Sequence, residues 1–296
     1  TTREDVSFII GEMISELNVG HAYYYGGDGE DTPAMNVGML GVDWSAVPAE
    51  GDRPGGYRID RVLGGGDWDV DVRGPLQEPG VSVAEGDLIL AVNGVPLDPA
   101  QDPWGPFVGT AGTTVVLTVH DAESESGVRE VAVDTIGNEN ALRYRDWIEG
   151  RRSVVESLSD GQVGYIYVPN TGRGGQSDLV RQFHGQSHLP ALIIDERWNG
   201  GGQIPDRFIE LLDRPVSNYW ATRDTRDWRW PMGVHAGPKA MLINGLAGSG
   251  GDMFPWLFRE RGLGPLIGTR TWGGLVGISG NPGLIDGGYT AVPTFG

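Results

Sequence analysis

From Val163 onward, short apolar runs alternate with stretches whose apolar residues have helical spacing. The apolar runs are 163–168, 189–194, 240–243 and 266–267, and the helical stretches are 177–183 and 204–212. Short apolar runs bounded by turn residues are typical of buried strands, and strands separated by helices favour a parallel sheet. The alternation therefore predicts an α/β layer in the second half of the chain.

Two glycine-rich loops follow strands of this predicted layer. Asp195–Gly202 follows the second run, and Asn244–Gly251, which contains Ser249, follows the third run and precedes a buried helical pattern. Open parallel sheets place their ligands at the carboxyl ends of the strands. A serine at a strand-to-helix turn is exposed beside N–H groups that can stabilise an oxyanion. Ser249 is therefore a candidate nucleophile, and the alternative is a serine that only caps the helix.

The first half of the chain has a different pattern. Apolar residues at helical spacing predict an amphipathic helix over Ser7–Val19, with His21 just past its end. Asn140–Leu158 is predicted to be a second helix, whose four arginines we interpret as ion pairs or a solvated face.

Between these two helices, short β-like runs alternate with Gly, Pro and Asp turns. The runs are 37–42, 57–62, 88–92, 113–119 and 128–133. Asn93-Gly94 is a tight-turn signal, and Gly86–Gly94 resembles the signature around the central strand of PDZ domains. PDZ domains bind extended peptides by adding a strand to a sheet edge, and the alternative is a β-rich insert with a structural role only.

The charge and the side-chain inventory exclude several classes of function. The formal net charge is −18, which argues against nucleic acid and anionic lipid as partners. No apolar run approaches the roughly 18 residues of a membrane span. The chain has no cysteine, which excludes thiol catalysis. His184 and His188 have an i, i+4 spacing but no third ligand placed to match, so a metal site is not expected. No cofactor is expected either.

Acyl transfer by Ser249 would need a general base and an oxyanion hole. The N–H of Gly250 is one candidate donor, and Gly200–Gly202 can supply a second because their backbone can approach a substrate closely. Lys239, the one lysine, precedes the strand before Ser249, so a Ser–Lys pair of the usual order is not available. The base must then be one of the five histidines, and His235 remains one of the open choices.

The chain resembles the C-terminal half of the tricorn protease family, within the wider group of C-terminal processing peptidases. The most specific matches are Ile194–Gly202 and Ala247–Asp252, and Glu16–Tyr23 matches as well. The resemblance implies that Ser249 is the nucleophile and that His21 is the base. It also implies an oxyanion hole formed by the amide of Gly250 with that of Gly201 or Gly202.

The resemblance also implies a domain order. We expect an α/β protein with a helical segment that carries the base (1–36), a PDZ-like β-rich domain (37–137) and a ClpP/crotonase-like α/β catalytic domain (138–296). Two departures matter. Gly20 stands where the family usually carries a serine of a catalytic tetrad. The tetrad glutamate is expected beyond Gly296, so the catalytic domain is expected to be truncated and poorly active as it stands.

The favoured hypothesis is a serine peptidase that hydrolyses oligopeptides. The resemblance implies that it works in the cytoplasm as a homo-oligomer, with peptides as substrates. One alternative is a PDZ-containing peptide-binding protein whose peptidase fold is inactive, which Gly20 favours. Another is a crotonase-like acyl-CoA enzyme, against which the PDZ-like segment argues.

Overall fold

The computed structural model describes residues 2–29, 33–51, 54–66, 72–121 and 127–296. The chain forms two compact units, of which one comprises Thr1–Asp31 with Arg151–Gly296 and the other comprises Thr32–Gly150. No helix among the described residues combines the length and the apolar character needed to cross a bilayer.

The described residues form five α-helices and sixteen strands, with two short 3-10 turns at Pro75–Gln77 and Gly105–Phe107. The helices are α1 (Arg3–Ser15), α2 (Asn140–Leu158), α3 (Arg173–Gln186), α4 (Pro205–Leu212) and α5 (Gly250–Glu260). The first eight strands are β1 (Tyr23–Tyr25), β2 (Val42–Val47), β3 (Gly56–Val62), β4 (Leu88–Val92), β5 (Val95–Pro96), β6 (Thr114–His120), β7 (Val128–Asp134) and β8 (Val163–Tyr167). The remaining strands are β9 (Ala191–Asp195), β10 (Asn218–Trp220), β11 (Trp228–Trp230), β12 (Lys239–Ile243), β13 (Leu266–Gly268), β14 (Gly277–Ile278), β15 (Tyr289–Ala291) and β16 (Pro293–Phe295).

The first unit is built on a four-stranded sheet in the order β13-β12-β9-β8. Its strand pairs are all parallel, which confirms the predicted α/β layer. Helices α3, α4 and α5 contribute Phe183, Phe208, Phe254 and Phe258 to one core with the sheet, and each of these side chains is fully buried. Burial of one such side chain contributes about 1.5–3 kcal/mol, so this core fixes the ends of the strands from which the site is built.

The second unit is an antiparallel sheet in the order β2-β3-β4-β6-β7, with β5 paired to β4. Asn93 and Gly94 join β4 to β5 with φ values of 51° and 77°, as the tight-turn signal predicts. The strand predicted over 37–42 is wrong, because β2 begins only at Val42 and the preceding segment makes two isolated bridges. Gly41 lies between them and β2 with φ at +73°, which is incompatible with strand backbone.

The two predicted helices of the first half are present. Helix α2 has the predicted bounds, and its Arg143 pairs with Asp43 and Glu139, as the ion-pair interpretation expects. Helix α1, in contrast, begins at Arg3 and ends at Ser15 rather than at Val19, and none of its residues is buried. His21 therefore lies beyond the reach of the dipole of α1, which falls off within the last turn of a helix.

Candidate active site

Ser249 lies at the turn between β12 and α5, at the N-terminus of the helix. Its backbone has φ at 59° and ψ at −117°, a conformation that few non-glycine residues adopt. The carboxylate of Asp252, three residues later, accepts the backbone N–H of Ser249 at 2.7 Å. The predicted strand-to-helix turn is thus present, and a strained backbone holds the serine in it.

His21 is brought to the same unit by a strand pair. Strand β1, just after His21, pairs antiparallel with β15, so that Tyr23 lies opposite Ala291. Arg3 in α1 adds an ion pair with Asp286 and a hydrogen bond to the hydroxyl of Tyr24. These contacts join the start of the chain to its C-terminal segment and fix where His21 lies.

The imidazole of His21 is buried, with 8% of the residue exposed. Its ring centroid lies 5.1 Å from that of Trp272 and 6.2 Å from that of Tyr23. The buried Nδ1 atom has no hydrogen-bond partner among the residues that the structure describes. The ring is therefore held by aromatic packing, and its backbone φ of 61° is also in the left-handed region.

Ser249 and His21 line one cavity of about 920 Å³, together with Gly202 and Gly250. A volume of this size is typical of a site for a small ligand or a short peptide. Most of the remaining lining is aromatic or aliphatic: Tyr23, Tyr25, Leu246, Met253, Trp256, Leu257, Trp272, Leu275, Val276, Ile278 and Phe295. The structure thus brings together four of the five residues expected in the site, and Gly201 is not among the residues that line the cavity.

The loop that follows β9 is anchored by Asp195, which is fully buried. The hydroxyl of Tyr165 donates to its carboxylate at 2.8 Å, and Arg197 forms an ion pair with it at 2.6 Å. Burial first, and the neighbouring Asp195 carboxylate second, raise the pKa of Tyr165 well above its usual value, so its phenol stays a donor. This network holds the glycines that follow in one place.

The two loops of the site pack against each other through glycines. The Cβ of any side chain at Gly201 would lie 2.8 Å from the Cβ of Ser249, and one at Gly250 would lie 2.8 Å from the N atom of Gly202. The N–H of Gly201 donates to Asn199 Oδ1 at 2.9 Å. Within the described part of the chain, the N–H groups of Gly202 and Gly250 make no hydrogen bond. Because the N–H of Gly201 is already bonded, this geometry favours Gly202 over Gly201 as the second candidate donor to an oxyanion, beside Gly250.

Glu196 is a buried residue of this region that the sequence analysis missed. It is 0% exposed, and neither of its carboxyl oxygens has a hydrogen-bond partner among the described residues. Burial raises its pKa to about 10, with further contributions from the charges of Asp252 and Asp195. Glu196 therefore carries a proton at neutral pH. The sequence signal that could have indicated this residue is its position directly after Asp195, at the end of a buried strand.

The other candidate bases lie elsewhere. His235 is buried, and its Nε2 atom lies 3.0 Å from the carbonyl oxygen of Leu189. Burial and the charge of Lys239 lower its pKa. Lys239 donates to the carbonyl oxygen of His235 at the start of β12, whereas Ser249 follows the end of that strand. Neither His235 nor Lys239 is among the described residues that line the cavity. Both lie in the range 127–296, which the structure describes without a gap.

The remaining histidines give no further candidate site. His120 lies at the end of β6, in the second unit. His184 lies in the last turn of α3, and His188 follows that helix. Across the described ranges, no group of three His, Cys, Asp or Glu side chains is placed to hold a metal ion.

Two family models match most of the chain. The model described as the tricorn protease PDZ domain matches residues 38–138, and the model described as peptidase family S41 matches residues 162–296. These matches confirm the PDZ resemblance of the β-rich region. They also make the α/β layer a peptidase domain rather than an α/β unit of unspecified kind.

Curated relatives and a solved structure are similar over the whole chain. Tricorn protease homolog 1 of Streptomyces coelicolor is 35% identical over 297 residues, covering 99% of this chain and 27% of that protein. The tricorn protease of Thermoplasma acidophilum is 32% identical, with 99% and 27% covered. A crystal structure of the tricorn protease superposes with a TM-score of 0.90 and 32% identity, covering 100% of this chain and 28% of that one. This chain thus spans about a quarter of the length of these relatives, and it belongs to the tricorn protease family of serine-type peptidases.

Proposed function

We propose that this chain forms the catalytic core of a peptidase in which Ser249 is the nucleophile and His21 is the general base. The N–H groups of Gly250 and Gly202 form the oxyanion hole in this proposal. The observation that carries it is the single cavity lined by all four residues, although His21 and Ser249 are far apart in the sequence. The strained backbone of Ser249 at a helix N-terminus supports the same assignment.

The mechanism follows from these roles. The hydroxyl oxygen of Ser249 attacks the carbonyl carbon of the scissile peptide bond, and His21 takes the hydroxyl proton. The negative charge that develops on the carbonyl oxygen is stabilised by two backbone N–H groups that have no other partner among the described residues. Collapse of the intermediate breaks the C–N bond, and the leaving amine takes the proton from His21. Water, deprotonated by His21, then hydrolyses the acyl-enzyme and releases Ser249.

The substrates in this proposal are oligopeptides. The cavity can hold a few residues of a peptide, and its lining is mostly apolar. The family resemblance further supports a cytoplasmic homo-oligomer as the working form. It also supports a division into a helical segment (1–36), a PDZ-like domain (37–137) and a catalytic domain (138–296).

The test is hydrolysis of short peptides of mixed composition, followed by mass spectrometry of the products. Ser249→Ala should abolish cleavage, and His21→Ala should lower kcat by roughly 100- to 10,000-fold, the usual contribution of a general base. His235→Ala serves as the matched control, because His235 is buried away from the cavity. Cleavage that survives in Ser249→Ala, or that fails in His235→Ala but not in His21→Ala, would contradict the assignment.

One observation favours a second candidate function, peptide binding by a degenerate peptidase. Gly20 lacks the hydroxyl that the family resemblance implies, and Nδ1 of His21 has no partner among the described residues. If this alternative is correct, extended peptides bind through residues 37–137 and no peptide is cleaved. Binding measured by fluorescence anisotropy, beside the cleavage assay, separates the two. The acyl-CoA hypothesis has no comparable observation in its favour.

A further inference from the structure

In the proposed mechanism, the imidazole of His21 must be held in one orientation to act as the base. In a serine peptidase the imidazole is oriented by a group that bonds to the nitrogen away from the serine. Here Nδ1 of His21 is buried without a hydrogen-bond partner in the described part of the chain. Among the described residues, the aromatic rings of Trp272 and Tyr23 pack on the imidazole, and that of Trp272 is the closer, with centroids 5.1 Å apart and planes at 52°.

Trp272 is fixed to the loop that carries Ser249. Its backbone N–H donates to the carbonyl oxygen of Ala247 at 2.9 Å. The next residue, Gly273, donates its N–H to the Asp252 carboxylate at 2.6 Å, and that carboxylate also accepts the N–H of Ser249. One short segment therefore contacts the ring of the base and is bonded to the nucleophile turn.

The indole ring lies in a slot formed by glycines. A Cβ added at Gly248 would lie 2.7 Å from Cε3 of Trp272, and one at Gly274 would lie 2.6 Å from Cη2. Real Cβ atoms do not approach other atoms so closely, so any larger residue at these positions would displace the ring. On a third side, Gly20 brings the backbone next to His21 close to the indole, since a Cβ added at Gly20 would lie 3.5 Å from the ring, an ordinary contact distance. These glycines confine the indole on the sides that they form, while Trp272 as a whole is 45% exposed.

We propose that Trp272 is a positioning residue of the general base, and that it holds the imidazole of His21 toward Ser249 by ring packing. This inference rests on the proposed function, in which His21 is the base. An aromatic ring within about 6 Å also stabilises positive charge, so the same contact favours His21 after it has taken the serine proton. Trp272 acts through His21 and takes no part in bond making.

Trp272 also lines the cavity, so a role in substrate binding must be distinguished from positioning. A small serine-directed phosphonate, which leaves most of the cavity empty, reports the reactivity of Ser249 with little contribution from substrate contacts. We expect Trp272→Leu to lower both kcat and the rate of phosphonate labelling roughly 10- to 100-fold, the usual effect of a misplaced catalytic group, with KM changed less than about twofold. Trp272→Phe keeps an aromatic ring and should retain most of kcat and of the labelling rate. This variant also tests the inference if Trp272→Leu is unstable.

The decisive comparison is a double-mutant cycle with His21→Ala. If Trp272 acts through His21, Trp272→Leu causes no further loss of labelling in the His21→Ala background. Trp220→Leu is the control, because Trp220 is similarly exposed but does not line the cavity, and it should label at the rate of the unmodified protein. Labelling of Trp272→Leu at the unmodified rate, or losses that multiply in the double variant, would overturn the inference and leave the base assignment standing. Unimpaired labelling of His21→Ala itself would overturn the proposed base and the inference with it.

Discussion

The carboxylate of Asp252 accepts the backbone N–H of Ser249 at 2.7 Å, and its other oxygen accepts the N–H of Gly273 at 2.6 Å. Asp252 is 8% exposed, so both bonds are shielded from water. One buried side chain thus connects the nucleophile turn with the segment that packs on His21. The strained backbone of Ser249 persists because such contacts hold it.

Asp252→Ala should therefore lower both stability and reactivity. The loss of two buried hydrogen bonds is expected to lower the free energy of unfolding by about 1–3 kcal/mol for each N–H left unpaired. Asp252→Asn keeps one acceptor oxygen and should lose about half as much. Urea unfolding and phosphonate labelling measure the two effects, and equal stability of the alanine variant and the unmodified protein would contradict the role of Asp252.

Glu196 predicts a dependence of stability on pH. Its pKa in the folded state is about 10, above the ordinary 4.5, so between these values the folded state binds a proton that the unfolded state does not. The contribution of Glu196 to the free energy of unfolding then falls as pH rises through this window, by up to about 1.4 kcal/mol per pH unit. Glu196→Gln, which cannot ionise, should remove this component of the dependence.

The measurement is urea unfolding of Glu196→Gln and of the unmodified protein at several pH values. The stability advantage of the glutamine variant should grow between about pH 5 and pH 9, as expected for one group titrating across about 4.5 to 10. Glu260→Gln, at an exposed position of α5, is the control and should show no such growth. A constant difference between Glu196→Gln and the unmodified protein across the range would show that Glu196 is not buried as a neutral acid.

Gly20→Ser tests whether the missing hydroxyl limits the base. A Cβ at position 20 would lie 3.5 Å from Trp272 and 3.6 Å from Gly274, which is ordinary contact, so a serine fits. A hydroxyl that bonds to His21 should raise kcat by roughly two- to tenfold, the equivalent of about 0.5–1.5 kcal/mol for one neutral hydrogen bond. Gly20→Ala is the matched control and should bring no gain. A similar rise in both variants would assign the effect to packing.

Gly201→Ala tests how closely the two loops must approach. Gly201 has φ at +83°, and its added Cβ would lie 2.8 Å from that of Ser249. The alanine must displace the serine, and peptide cleavage should fall by about 100-fold or more. Gly185→Ala, in α3 with no neighbour within 4 Å of its added Cβ, should leave cleavage unchanged. Unaltered cleavage by Gly201→Ala would mean that the loops tolerate separation.

Much of the fold could be predicted from the sequence because its signals are local. Helix α2 has the predicted bounds, and the parallel strands lie within the predicted apolar runs or one residue from them, since helical spacing and short apolar runs reflect burial directly. The strand expected over 37–42 failed because Gly41 adopts a positive φ, which a count of apolar residues does not detect. The end of α1 was misplaced because most of its apolar side chains are exposed, so their spacing did not reflect a packed face.

The candidate site could be predicted only in part. The two glycine-rich loops were evident because each follows a buried strand. The choice of His21 came from resemblance alone, since the β1–β15 pair that delivers it joins segments from opposite ends of the chain. Trp272 was missed because its contacts with His21 and Ala247 join segments that are distant in the sequence. Glu196 was missed although it directly follows Asp195 at the end of a buried strand. The hydrogen bond from Ser249 to Asp252 could have been predicted, because an acidic residue three positions after a serine has the spacing of a capping box.

The role of Ser249 as nucleophile is tested most directly by locating the residue that a serine-directed phosphonate modifies. The protein is labelled, digested and sequenced by mass spectrometry, beside Ser249→Ala and the control Ser279→Ala in an exposed segment. We expect one adduct, on Ser249, which is absent from Ser249→Ala and unchanged in Ser279→Ala. An adduct on any other residue, or labelling that survives in Ser249→Ala, would contradict the assignment of Ser249 as the nucleophile.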